Sequence, residues 1–268
     1  MTDIHDFAIA SRVERTGDLR FETHVPEGWA QGRGAFGGLV LAMLARALEA
    51  SVGDAARSLR SISGEIVGPV LAGSAVIDVE IVRRGSGVTT LSAKLRQGDD
   101  VLACATGVFG KARGATRSSV ALESPSPTPF DDVPRTRLSG PFGPSFAEHF
   151  DMRSTGPLPF SGGSEAVCSG WVRALSPPPA LGMAEVIAYA DAWWPATFSV
   201  EPAPRPMATI AFTLEPCVDP ATLPAGEALY YRARAISERE GFVVELRELW
   251  TADGRLVALN QQTFVIIK

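Results

Sequence analysis

The run Phe36-Gly37-Gly38-Leu39-Val40-Leu41-Ala42-Met43-Leu44-Ala45-Arg46-Ala47-Leu48-Glu49-Ala50 decides the fold. Leu, Ala and Met dominate it, and all three favour helix. Apolar side chains occupy most faces of the run, which ends near Gly53, so it reads as a largely buried helix. Alternating segments follow at residues 59–71, 74–84, 88–97 and 101–109. Gly73, Gly85–Gly87 and Gly98-Asp99-Asp100 separate them. Glycine-rich breaks between alternating runs are turn signals, so the four segments read as antiparallel strands.

The same order returns further along. Residues 181–194 form a second apolar helix candidate, stopped by Pro195, and strand-like segments follow at 207–218, 228–237, 242–250 and 256–267. Val101-Leu102-Ala103 to Phe109 can be laid on Leu256-Val257-Ala258 to Phe264 without a gap. One more strand precedes each helix, at 21–25 and 165–174. Between the halves, residues 123–144 carry Pro125, Pro127, Pro129, Pro134, Pro141 and Pro144. Proline fixes φ and lacks a donor, so this stretch reads as a surface connection. The predicted organisation is an N-terminal unit (1–115), a Pro/Ser-rich linker (116–144) and a C-terminal unit (145–268). An antiparallel sheet wrapped round one buried helix is the hotdog architecture. Two tandem sheets of this kind make an α+β double hotdog. A lipocalin-like β-barrel is the other arrangement of so many strands, and it would not need two buried helices.

Composition narrows the function. The 268 residues are 46% hydrophobic and 21% charged, with a net charge of −5, which is ordinary for a folded chain of one or two domains. The negative balance argues against a nucleic-acid partner held by phosphate contacts. Cys104, Cys168 and Cys217 are odd in number and form no CxxC pair, so neither a disulfide framework nor a zinc ribbon is indicated, and a cytoplasmic location fits. The N-terminus lacks a basic n-region, and the apolar run from Phe36 is broken by Arg46, so no membrane association is expected. Gly32-Arg33-Gly34-Ala35-Phe36-Gly37 spells GxGxxG, but loop-like residues 25–31 precede it where a dinucleotide fold needs a strand. No GxSxG elbow exists. His5, His24 and His149 have no partners at metal-ligand spacing, so neither metal nor cofactor is expected, although His149 could reach a cleft.

Three polar residues stand in apolar settings. Asp191 lies in Ala188-Tyr189-Ala190-Asp191-Ala192-Trp193-Trp194, near the end of the second helix. A buried carboxylate must be paired, protonated or used, and a helix C-terminus opposes its charge. A wet helix edge, or a bond to a backbone donor, would equally account for it. Gln262 lies in Leu259-Asn260-Gln261-Gln262-Thr263-Phe264, where alternation puts Asn260, Gln262 and Phe264 on one face. A solvated sheet face is the plainer account there. Thr209, in Met207-Ala208-Thr209-Ile210, is also simply a good strand former.

Phe36-Gly37-Gly38 opening an apolar helix, followed by Asp, Thr and Gln in the second half, resembles the type II acyl-CoA thioesterase group of the thioesterase-like superfamily. Residues 181–198 are similar to the wider relatives of that group. The resemblance covers nearly the whole chain except the linker, and it implies a double hotdog. It also implies hydrolysis of an acyl-CoA or acyl-carrier thioester. Asp191 would be the general base, on a water held by Thr209 and Gln262, with Thr213 the rival for the threonine. Gly37, Gly38, Trp193, Trp194 and Phe198 would meet the substrate. In the first half Gly107 stands opposite Gln262, and Arg46 or Ala47 stands near the Asp191 position, so one active site per chain is expected. Sheet edges together with the resemblance imply a homodimer. The competing function is a non-catalytic double hotdog that binds acyl groups or serves as a scaffold.

Overall fold

The computed structural model describes residues 6–114, 122–138, 143–224 and 226–267. Helix α1 (Phe7–Ala10) and strands β1 (Val13–Arg15), β2 (Arg20–Val25), β3 (Ala30–Gln31) and β4 (Gly34–Ala35) lead into helix α2 (Gly37–Ser51). Strands β5 (Arg57–Ile66), β6 (Gly73–Arg84), β7 (Val88–Gln97) and β8 (Asp100–Lys111) follow it. The second half runs β9 (Phe150–Ser154), β10 (Val167–Ala174), helix α3 (Met183–Asp191), β11 (Met207–Pro216), β12 (Leu229–Arg239), β13 (Phe242–Trp250) and β14 (Leu256–Ile266).

The architecture is α+β. Apart from the β3–β4 ribbon, the strands form one 12-stranded sheet in the order β1-β2-β6-β7-β8-β5-β11-β14-β13-β12-β10-β9. The two separate sheets read from the sequence are therefore joined. Antiparallel pairing of β5 with β11, from Ile62↔Leu214 to Glu65↔Ala211, makes the join. Left apart, each half would expose an unpaired edge there, and the pairing removes both edges.

Irregularities repeat along the sheet. The β5–β8 ladder skips Arg60 and the β11–β14 ladder skips Ile210. Val82 is skipped between β6 and β7, and Ile236 between β12 and β13. Leu102 is skipped between β7 and β8, and Val257 between β13 and β14. Each bulge in the first half has a counterpart on the corresponding strand of the second.

Helices α2 and α3 pack antiparallel. Gly37 at the start of α2 meets Asp191 at the end of α3, and Arg46 Nη2 lies 2.9 Å from Glu185 Oε1. Gly38 makes the close approach possible, because a Cβ there would stand 3.1 Å from Ala188 Cα and inside the Phe36 ring. Glu185 fixes the start of α3 by accepting from the Gly182 N–H at 2.9 Å. The helix ends at Asp191, short of the expected Trp194. Pro195 disfavours helix in the residue before it, and Trp193 turns away to stack on Tyr231 at 5.5 Å. Strand β5 likewise stops at Ile66 rather than residue 71, with Gly68 and Pro69 just beyond.

Residues 122–138 are mostly exposed and are pinned to the sheet at Val133. Val133 is buried with Trp171, Tyr230, Trp250 and Leu256, on the face of the sheet opposite the helices. Trp171 Nε1 donates to Thr128 O at 2.8 Å, and Arg153 Nη1 donates to Phe130 O at 2.8 Å. Pro141 lies outside the described residues.

Candidate active site

Asp191 ends α3 with only 4% of its surface exposed. Gln262 on β14 donates from Nε2 to Asp191 Oδ1 at 2.9 Å and to Asn260 Oδ1 at 3.1 Å. Its other amide atom, Oε1, accepts from Thr209 Oγ1 at 3.2 Å. Asn260 Nδ2 in turn donates to Thr213 O at 2.5 Å, which fixes the order of the whole chain of bonds. The structure thus brings Asp191, Gln262 and Thr209 into one hydrogen-bonded line. That line runs from a buried carboxylate to a half-buried hydroxyl. Thr209 reaches Gln262 because of the bulge. Alternation back from buried Leu214 and Phe212 would turn it away, and skipping Ile210 restores it. Thr213, flanked by Ser63 and Gln261, contributes its backbone carbonyl.

The helix pair settles the carboxylate's dipole problem. Asp191 sits at the C-terminus of α3, which opposes its charge, but also at the N-terminus of α2, which favours it. The Gly38 backbone N–H donates to it. Gly37 leaves the room: a Cβ there would lie 2.9 Å from Asp191 Oδ2.

Charge comes from β13. Arg247 Nη1 stands 3.7 Å from Asp191 Oδ1 and donates to Ala190 O at 2.9 Å. Its Nε donates to Glu245 Oε1 at 2.8 Å. Burial pushes the Asp191 carboxyl above the ordinary aspartate range. The Arg247 charge, the Gln262 hydrogen bond and the Gly38 N–H oppose that rise, and Glu245 adds to it. Asn260, Glu245 and Arg247 were not singled out from the sequence. The available signal was periodicity: Val243, Glu245, Arg247 and Leu249 alternate along one strand, so two charges share a face with core residues.

The remaining candidates are placed as follows. Trp193 is wedged between Tyr231 and Gly170, and Trp194 packs on Trp193 at 5.0 Å. Phe198 packs on Phe160 at 5.0 Å. His149 is buried, stacked on Trp29 at 3.9 Å with Nε2 2.9 Å from Gly28 O. His24 is exposed on β2, and His5 lies outside the described residues. No group of three or more His, Cys, Asp or Glu among the described residues could hold a metal ion. No helix among them is long and apolar enough to cross a membrane.

The first half carries none of this polarity. Its matching ladder pairs Leu91 with Gly107 and Ala93 with Ala105, where the second half pairs Glu245 with Gln262 and Arg247 with Asn260. Leu59 opposite Phe109 stands where Thr209 faces Phe264. The space a side chain at 107 would need is filled by Phe109 and Leu48, whose atoms lie 2.9 and 3.2 Å from the position of a Cβ. Arg46 bonds Ser11 and Glu185 instead of facing a glutamine.

Two cavities lie elsewhere. One of about 430 Å³ sits at the far end of the helix pair, between Glu49, Arg57 and Arg60 of one half and Gly182, Met183 and Pro220 of the other. One of about 390 Å³ opens beside Leu122, Tyr230 and Arg232. Neither is lined by Asp191, Thr209 or Gln262, nor by Trp193, Trp194 or Phe198.

Comparison with known proteins matches residues 25–110 to the acyl-CoA thioesterase N-terminal domain and residues 123–266 to the acyl-CoA thioesterase C-terminal domain. Among solved structures, a conserved hot dog fold protein of unknown function from Alicyclobacillus acidocaldarius is 24% identical, with 98% of each chain covered and a TM-score of 0.89. An acyl-CoA thioesterase II from Mycobacterium marinum is 19% identical, with 98% of each chain covered and a TM-score of 0.78. These likenesses establish the hotdog fold. No curated protein matches the chain.

Proposed function

The chain belongs to the acyl-CoA thioesterase family, and from that premise we propose that it hydrolyses acyl-CoA thioesters at Asp191, Thr209 and Gln262. The observation that carries the reading is the one-sided polar line. Asp191, Gln262 and Thr209 are bonded in series in one half, and apolar residues fill the same places in the other. Burying polar groups is costly, and the first half closes its core without them. Asp191 takes a proton from a water held by the Thr209 hydroxyl and the Gln262 amide. The water oxygen attacks the thioester carbonyl, and backbone N–H groups stabilise the oxyanion. The carbon–sulfur bond then breaks, and the proton on Asp191 passes to the departing thiolate. No acyl-enzyme forms. Gly37 and Thr209 are half-buried, so the thioester reaches the site between them, with Gly38, Trp193, Trp194 and Phe198 as further walls.

The paired bulges support reading the chain as a double hotdog. Its units are 1–115 and 145–268, with 116–144 as the connection. The outermost strand β1, which pairs with β2 alone, supports a homodimer. The test is thiol release from a panel of acyl-CoA and acyl-carrier thioesters. Hydrolysis of at least one supports the reading. Binding of acyl-CoA without hydrolysis would support the non-catalytic alternative instead.

A further inference from the structure

Arg247 and Glu245 form an ion pair inside the molecule, 1% and 0% exposed. Taking two charges out of water costs several kcal/mol per ion, and apolar residues of similar volume often serve stability as well or better. The first half makes that exchange. Between its matching bulges, β7 carries Leu91 and Ala93 in place of the pair. Arg247 also keeps a buried donor, Nη2, with no hydrogen-bond partner among the described residues. Groups retained for stability are normally satisfied. The pair therefore serves something besides packing.

Its contacts say what. Arg247 bonds the carbonyl of Ala190, the residue before Asp191, and faces the Asp191 carboxylate. Glu245 accepts from Arg247, from the Ala196 N–H at 2.6 Å and from the Tyr231 hydroxyl at 3.3 Å. Both ends of the turn that carries Asp191 out of α3 are thereby tied to β13. We propose that Arg247, anchored by Glu245, is a positioning residue that holds Asp191 as a carboxylate and aims it at Gln262. The proposal rests on reading Asp191 as the general base. Charged and titratable groups acting on Asp191 are Arg247 and Glu245 of β13 and Tyr231 of β12. Helix α2 offers the Gly38 N–H, and β14 the neutral Gln262. Burial drives Asp191 toward the acid form, which could not accept a proton, and Arg247 is the largest influence the other way.

The double variant Glu245→Leu/Arg247→Ala installs the residues of the first half. Two readouts apply: the pH dependence of kcat and KM for acyl-CoA hydrolysis, and a 13C NMR titration of carboxyl-labelled aspartate, with Asp191→Asn identifying the resonance. The expected result is a folded protein with lower kcat at neutral pH and little change in KM. The acid limb and the Asp191 titration should both move up by about one pH unit or more. Arg247→Lys, which restores a positive charge, should return both toward wild type. If the double variant does not fold, Glu245→Gln/Arg247→Gln removes both charges while keeping polar side chains there, and gives the same reading. An unmoved Asp191 titration in a folded variant overturns the proposal. Wild-type hydrolysis by Asp191→Asn would instead overturn the general-base reading, while the titration still decides what Arg247 does.

Discussion

Asp191 lies in a setting that makes a carboxylate a stronger base. Burial raises its pKa, and Arg247, Gln262 and Gly38 keep the rise in check. Below that pKa the group is protonated and cannot take a proton from water. Hydrolysis should therefore fall on the acid side at a pH above the usual aspartate range of about 3.9, as a pH–rate profile would show. The stability sign is the reverse of a salt-bridged carboxylate. The native state binds the proton more tightly than the unfolded chain, so the contribution of Asp191 to stability is lost as pH rises through its native pKa. Urea unfolding should find wild type gaining on Asp191→Asn as pH falls. Gly37→Ala should keep the fold but push the carboxylate off its position, cutting kcat by about 10-fold or more, because the added Cβ meets Oδ2. Unaltered kcat in a folded Gly37→Ala protein would contradict the placement. Alanine at Thr209 or Gln262 should cost less than the loss of Asp191. Thr209→Ala should leave the acid limb in place, while Gln262→Ala should move it up, because a hydrogen bond that holds the Asp191 carboxyl down is lost. At this scale the sequence was readable where a polar residue interrupted an apolar run, as at Asp191 and Gln262. It was opaque for Arg247, because a charge on a strand usually faces water.

Elements were legible where periodicity was long. The apolar run of α2 and the alternation of β7 and β13 marked their own bounds, while β5 and α3 ended early where Pro69 and Pro195 constrain the backbone. Bulges were not legible, since one skipped residue leaves no mark in composition, and the bulge at Ile210 decides which way Thr209 points. The contact of α2 with α3 depends on glycine in the same hidden way. Gly170 on β10 is another such point, since a Cβ there would enter the Trp193 ring and the Arg153 carbonyl. Gly170→Ala should lower thermal stability by several kcal/mol as the strand or the ring is displaced. Trp194→Ala separates wall from filler. A changed ranking of acyl chain lengths is expected if the ring lines the substrate path, and a loss of about 3–5 kcal/mol with the ranking intact if it only fills core.

Across the whole molecule, one sheet carries two halves of unequal chemistry. Tandem strand order was visible in the sequence, but the β5–β11 join was not, because edge pairing depends on how the two halves meet rather than on either pattern. Strands β1 and β9 are the outermost strands of the sheet, with β9 partly covered by Arg135 and Thr136, and a homodimer should appear in equilibrium sedimentation at micromolar concentration; a monomer alone would contradict it. The inequality of the halves bears directly on activity. With Leu91, Ala93, Ala105 and Gly107 in place of Glu245, Arg247, Asn260 and Gln262, the first half lacks the polar line that serves Asp191, so the chain should hold a single site of this kind. The decisive measurement is kcat for acyl-CoA hydrolysis by Asp191→Asn, compared with wild type after both are shown to be folded. Removing the one general base should lower kcat by about 10²-fold or more. A variant that keeps half or more of the wild-type rate would contradict both the assignment of Asp191 and the single-site account.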